Sequence, residues 1–170
     1  YEHTELEGDE IGTRFNNTGT EARVEAVQRE RNGWRGAFGV QASHRDFEAI
    51  GEEAFVPPSV TRDLGVFALQ EKDFGEFKLE FGARHDQVRV DPETGGDARF
   101  GATSLAFGGL WRFSEAVHLG VNLNRAERAP NAEELFSDGA HVATQSYELG
   151  DADLDTEVAL GGELSLHLHH

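Results

Sequence analysis

Apolar and polar side chains alternate with a period of two along most of this chain, and helical spacing is nearly absent. A period of two puts one set of side chains on each face of a β-strand, so the chain is bound to form sheets with one apolar and one polar face. Ala22, Val24 and Ala26 alternate with Arg23 and Glu25. After the turn pair Asn32-Gly33, Trp34, Phe38, Val40 and Ala42 alternate with Arg35, Gln41 and Ser43. Leu64, Val66 and Ala68 form a weaker strand whose apolar face is ambiguous, because Phe67 and Leu69 lie on its other side. Phe77, Leu79, Phe81 and Ala83 stand against Glu76, Lys78, Glu80 and Arg84, and Leu105, Phe107, Trp111 and Phe113 oppose Ser104, Ala106 and Gly108. Val117, Leu119, Val121 and Leu123 oppose His118, Gly120, Asn122 and Asn124. Val158, Leu160, Leu164, Leu166 and Leu168 oppose Ala159, Gly161, Glu163, Ser165 and His167. With a less regular opening strand over residues 4–15, the expectation is about eight strands.

The connections fall into two classes. Short turns lie at Asn32-Gly33, Phe74-Gly75 and Ser114-Glu115, recurring roughly every 41 residues, and long loops are expected over 16–21, 44–60, 86–99 and 125–157. This is an antiparallel up-and-down meander with one plain and one elaborated end, the asymmetry of a transmembrane β-barrel with short periplasmic turns and long extracellular loops. Trp34, Phe74, Phe77, Trp111 and Phe113 gather beside the short turns, as an interfacial aromatic girdle does. Alternation alone would also suit a soluble β-sandwich or adhesin-like module with acidic, calcium-taking loops. Loop asymmetry, the aromatic placement and polar faces carrying both charge signs favour the barrel, its apolar face toward lipid and its polar face toward the lumen.

A net charge of −17 excludes nucleic acid as a partner bound through phosphate neutralisation. With no cysteine there is neither a disulfide nor a thiolate metal site. None of the GxSxG, HExxH, Walker or strand-linked GxGxxG patterns occurs, so nothing positive supports an enzyme. In the longest loop, PNAEELF has the outline of a capped short helix, with Asn131 and Glu134 as the capping pair. Asp151, Asp153 and Asp155 alternate as in a calcium loop, but Thr156 and Gly162 stand where an EF-hand needs Gly and Glu. His44, His85 and His141 all fall at the long-loop ends of their strands, which makes them candidates for a shared zinc site, while His118 should face the lumen. His167 and His169 share a face, and Glu52, Glu53, Glu133 and Glu134 read as solvated surface. No cofactor is required on this reading; zinc and calcium are the ions the loops could take.

The stretch NLNRAERAPNAEELFSDGAHVATQSYELGDADLDTE resembles a segment of TonB-dependent outer-membrane receptors. Arg128, Ala129, Pro130, Glu134, Leu135, Phe136, Gly139, His141, Ala143, Thr144, Tyr147, Glu148, Gly150 and Leu154 match it, while Thr156 departs from the proline usual before Glu157. GDEIGTRFNN and EAFVPPSVTRDLGVFALQE also resemble barrel segments of the family, in the branch of zinc- and haem-uptake receptors. The resemblance implies the outer membrane of a Gram-negative bacterium, outer-membrane lipid as surroundings, and a 22-stranded barrel closed by an N-terminal plug. It also implies import of a small metal-containing ligand (metal ion, metal chelate or haem) when the TonB complex pulls the plug. Residues 1–170 would be part of the barrel domain, without plug, and not transport-competent alone. On the matching loop, Arg128, Pro130, Glu134, Phe136, His141 and Tyr147 are the ligand-binding candidates.

Overall fold

The computed structural model describes residues 2–7, 10–51, 54–141 and 145–168. Ala143, Thr144, Glu52, Glu53 and His169, singled out above, lie outside them. One antiparallel sheet of eight strands forms the body, each strand hydrogen-bonded to its neighbour in sequence until the last. The strands are β1 (Glu2–Glu7), β2 (Glu10–Arg31), β3 (Trp34–Gly51), β4 (Ser59–Asp73), β5 (Phe77–Pro92), β6 (Ala98–Arg112), β7 (Val117–Arg128) and β10 (Glu157–Leu168). Between β7 and β10 lie a short helix, α1 (Ala132–Phe136), and a hairpin of β8 (Asp138–His141) and β9 (Ser146–Leu149). Among the described residues β1 and β10 do not pair, so the sheet is open.

The short turns fall where the residues demand them. Asn32 and Gly33 take φ of 55° and 76°, both left-handed, as a primed hairpin turn requires. At the next, the Asp73 carboxylate accepts the Gly75 N–H at 2.7 Å. Three of the four expected long loops are corrected: 16–21 lies within β2, 44–60 shrinks to 52–58, and 86–99 shrinks to 93–97. These strand ends project past the lipid, where the outward face is wet and the apolar residues move to the inward face, as Phe47, Ala49, Val88 and Val90 do. The ladder continues there while the apolar alternation changes face.

Directly paired residues share a face, so the register sorts every side chain. Phe38, Ala68, Ala83 and Leu105 form one row on the outward face, and Val24, Val40 and Val66 begin the next. Leu64, Val66 and Ala68 point outward, which resolves the ambiguous β4, and Phe67 points inward beneath the Arg23 guanidinium, 4.2 Å from its ring centre. The inward face carries linked charges across β3, β4 and β5: Arg35 to Glu71 at 2.6 Å, Lys78 to Glu71 at 2.9 Å and Lys78 to Glu80 at 2.8 Å. An apolar outer face left uncovered and a charged inner face are the reverse of a soluble domain. The sandwich alternative requires a second sheet across the apolar face, and none covers it among the described residues.

The outward apolar series does not run level with the register rows. It ends at Ala42 and Leu64, paired with each other, on β3 and β4; at Ala83 and Leu105, two rows lower, on β5 and β6; and at Leu123, a third row lower, on β7. Three rows of two residues are about 20 Å along the strands, and the four strand spacings from β3 to β7 are about 19 Å across them. From β3 to β7 the band thus steps down obliquely to the strands, as on the tilted strands of a membrane barrel, and on β10 it rises again to the outward Leu160 and Val158. At its lower edge Phe77 stacks on Trp111 with centres 5.5 Å apart, Trp111 meets Phe113 edge-on at 5.1 Å, and the Lys72 ammonium lies 5.4 Å from both Trp34 and Phe74.

Candidate functional site at the mouth of the wall

The wall has no core of its own, since its apolar side faces outward. The buried apolar clusters lie on the inward face at the elaborated end. Val90, Ala132 and Leu135 form one, with Val88, Ala98, Phe100 and Phe136 around it, and Phe47, Ala49 and Val56 form another with Phe15 and Phe55. The long loop thus folds back into the mouth, and α1 seats Leu135, only 2% exposed, on the fully buried Val90 of β5.

Local chemistry fixes that fold. Asn131 caps α1: its side chain accepts the Glu134 N–H at 2.7 Å, and the Glu134 carboxylate accepts the Asn131 N–H at 2.9 Å. Arg128, the last residue of β7, grips the same carboxylate with two bonds, at 2.7 and 2.8 Å, and reaches Glu157 at the start of β10 at 2.6 Å. One guanidinium therefore joins β7, α1 and β10 at the base of the loop. Arg45 extends from the inward face of β3 to Glu133 at 3.5 Å. Past the helix, the Asp138 N–H donates to the Phe55 carbonyl at 2.7 Å, and the Gly150 N–H to the Ser137 carbonyl at 2.7 Å. A Cβ on Gly150 would come within 2.7 Å of the backbone at Leu135, Phe136 and Ser137, so only glycine lets β9 pass so close to the end of α1.

Arg128 and the Asn131 backbone hold the Glu134 carboxyl down at about 2, against 4.5 unperturbed. A depressed carboxylate contributes stability above its unfolded value and loses it as pH falls toward the folded one. We expect the protection of residues 129–151 against proteolysis to decline between about pH 4.5 and about 2, as Glu134 gives up its charge. Glu134→Gln should remove that step and leave the loop weaker at neutral pH. An unchanged acid profile in the variant would refute the assignment.

The expected ligand residues separate into two groups. Arg128 and Glu134 are engaged with each other, and Pro130 is buried behind them. Phe136 walls a cleft of about 370 Å³ with Phe55, Val56, Pro57, Pro58, Thr94 and Asp138. His141 stacks on Phe55 with centres 4.9 Å apart and contacts Glu148 at 2.7 Å through Nδ1. The exposed Tyr147 donates to Asp138 at 2.7 Å, which raises the phenol above its usual range. Phe55, Val56 and Thr94 were not singled out from sequence; the aromatic beside the Pro57-Pro58 pair was the available signal. A larger hollow of about 640 Å³, bordered by Phe81, Leu105, Phe107 and Leu123, opens on the outward apolar face and is a groove for lipid.

The three histidines are not brought together. His44, 3.2 Å from Asp46, and His85, 2.9 Å from the Thr103 hydroxyl, both point outward on strands separated by β4, whereas His141 sits in the hairpin within the mouth. Among the described residues no group of three or more His, Asp or Glu side chains is gathered as for a metal ion. The aspartates behave likewise: the Asp151 carboxylate accepts the Asp153 N–H at 2.9 Å, which shapes a turn. His118 pairs with Arg112 and His167 on the inward face, as its alternation requires.

An outward apolar band, inward charges and a mouth into which the longest loop folds define the wall of a transmembrane β-barrel. A family model described as TonB dependent receptor-like, beta-barrel, matches residues 3–170. The chain belongs to the TonB-dependent receptors, in their β-barrel domain, and is a protein of the Gram-negative outer membrane.

Proposed function

We propose that the mouth cleft captures a scarce nutrient from outside the cell, a metal chelate or haem before a bare metal ion, for passage driven through TonB and a plug. The observation that carries this reading is the inward fold of residues 125–157, which places Phe136 and the His141-stacked Phe55 around one cleft open to the elaborated end. Aromatic and proline walls suit a flat ligand with apolar faces, and His141 beside them supplies a nitrogen donor. The residues bind and orient; no bond-making chemistry is assigned to them.

Zinc and haem, titrated separately into the full chain in detergent, test it. His141→Ala should weaken binding of the captured ligand by about tenfold or more, as loss of an anchoring contact does, while the outward His44→Ala leaves it unchanged. Equal affinity of His141→Ala and the parent chain for both ligands would remove the proposal.

A further inference from the structure

The first outward-facing residue above the apolar band, taken strand by strand from β3 to β7, is His44, Arg62, His85, Thr103 and Arg125. None of the five is acidic, in a chain with 32 acidic and 15 basic residues. Higher on the same face, Arg62, Arg89 and Arg99 stand side by side in one register row across β4, β5 and β6. These guanidiniums rim a hollow of about 540 Å³, floored by Leu64 and Gly101 with His85 beside it.

Carboxylates also face this row and must be counted. Asp91 lies 2.6 Å from both Arg62 and Arg89, and Asp97 lies 2.8 Å from Arg99 and 3.6 Å from Arg89. His44 has Asp46, and Arg125 has Glu127 at 2.6 Å. Counted over the row and its ion-pair partners, three guanidiniums face two carboxylates; Asp63 also borders the hollow, from a position of inward parity with its carboxylate 4.0 Å from Arg84. Arg62 uses one nitrogen on its partner, Arg99 one and Arg89 two, so N–H donors remain on each for a further acceptor. The three side chains are 54%, 46% and 67% exposed.

From this geometry we infer that Arg62, Arg89 and Arg99 form a site for the phosphate groups of an outer-leaflet lipid headgroup. The elaborated end is the extracellular one. A lipid whose acyl chains meet the apolar band carries its headgroup at this end of the wall, next to Arg62 at the band's edge on β4 and below Arg89 and Arg99, three rows above the edge on β5 and β6. A ligand already anchored in lipid is thus delivered to the hollow. Guanidinium matches phosphate with paired, charge-assisted hydrogen bonds. The Asp91 and Asp97 carboxylates compete with a phosphate for the same guanidiniums.

The test uses the full chain in detergent, with diphosphoryl lipid A titrated in and bound lipid counted by native mass spectrometry. Arg62→Gln, Arg89→Gln and Arg99→Gln combined should lower affinity by at least about tenfold, given what hydrogen bonds to charged groups contribute. The triple Lys variant should retain most of it, and Asp91→Asn with Asp97→Asn should strengthen it. Dephosphorylated lipid A should bind the parent chain as weakly as the Gln variant binds the phosphorylated form. Strand content by circular dichroism and the behaviour of the Lys variant separate loss of the site from loss of the fold. Inorganic phosphate that displaces lipid A at equal concentration would show a free-anion site and overturn the lipid assignment. Equal binding of lipid A by parent and Gln variant would overturn the site itself.

Discussion

Replacing Leu135 by Ala is expected to release the long loop from the mouth while leaving the wall intact. Leu135 is 2% exposed and packs with Ala132 on Val90, and a buried Leu cut to Ala costs about 2–5 kcal/mol. The contacts removed belong to one small cluster, the only buried one among the described residues that includes side chains of α1. Amide exchange across residues 130–150 should therefore speed up by about thirtyfold or more, the equivalent of about 2 kcal/mol. Amides in the ladders of β3 to β6 should be unchanged, since those strands are joined by their own registers. Equal acceleration in wall and loop would show that the mouth cluster supports the sheet itself. Capture at the proposed cleft should fall with the loop, because Phe136 leaves with α1.

The second large effect is expected from Phe81→Arg. Phe81 stands outward within the apolar band, its ring 5.1 Å from that of Phe107. A guanidinium on the lipid face of a barrel costs about 2–4 kcal/mol near the bilayer midplane. The same change at Asn122, on the inward face in a row with Glu163, meets water and a carboxylate instead. Urea unfolding from phosphatidylcholine vesicles should show the full penalty for Phe81→Arg and less than about a quarter of it for Asn122→Arg. Similar penalties at both sites would contradict the division into lipid and lumen faces.

Most of the wall is legible in the residues because lipid imposes alternation. Phe77, Leu79, Phe81 and Ala83 against Lys78, Glu80 and Arg84 fix a strand and both its faces, and Asn32-Gly33 fixes the turn before β3. Beyond the lipid the outward face turns polar, so residues 16–21 look like loop, and Val88 and Val90, apolar on the opposite face, break the run of Phe77 to Ala83 while the backbone continues its ladder. The oblique course of the band is hidden for another reason: it depends on how rows of different strands align, which one strand's pattern does not contain. At the mouth, the capping pair Asn131 and Glu134 marks α1, but nothing along the chain says that the helix turns inward onto Val90. The grouping of His44, His85 and His141 failed because position near a strand's end says nothing of face. His44 shares the outward parity of Val40 and Ala42 on its own strand, and His85 that of Phe81 and Ala83 on its own, which the spacing along each strand already contained.

The order of strands bears on how such a wall is put together. From β1 to β7 every pairing joins neighbours in sequence, so each hairpin can zip onto the last with little chain left loose. The pairing of β7 with β10 alone must be found across an insertion, residues 129–156. A slack insertion of that length would make registry the slow event, since its closure entropy has to be met before the ladder forms. Seated on β5, with Glu134 held by Arg128 and Glu157 drawn to the same guanidinium, the insertion instead acts as a splint. It brings Glu157 opposite Arg128, the first pair of the final register, and the remaining rungs follow from there.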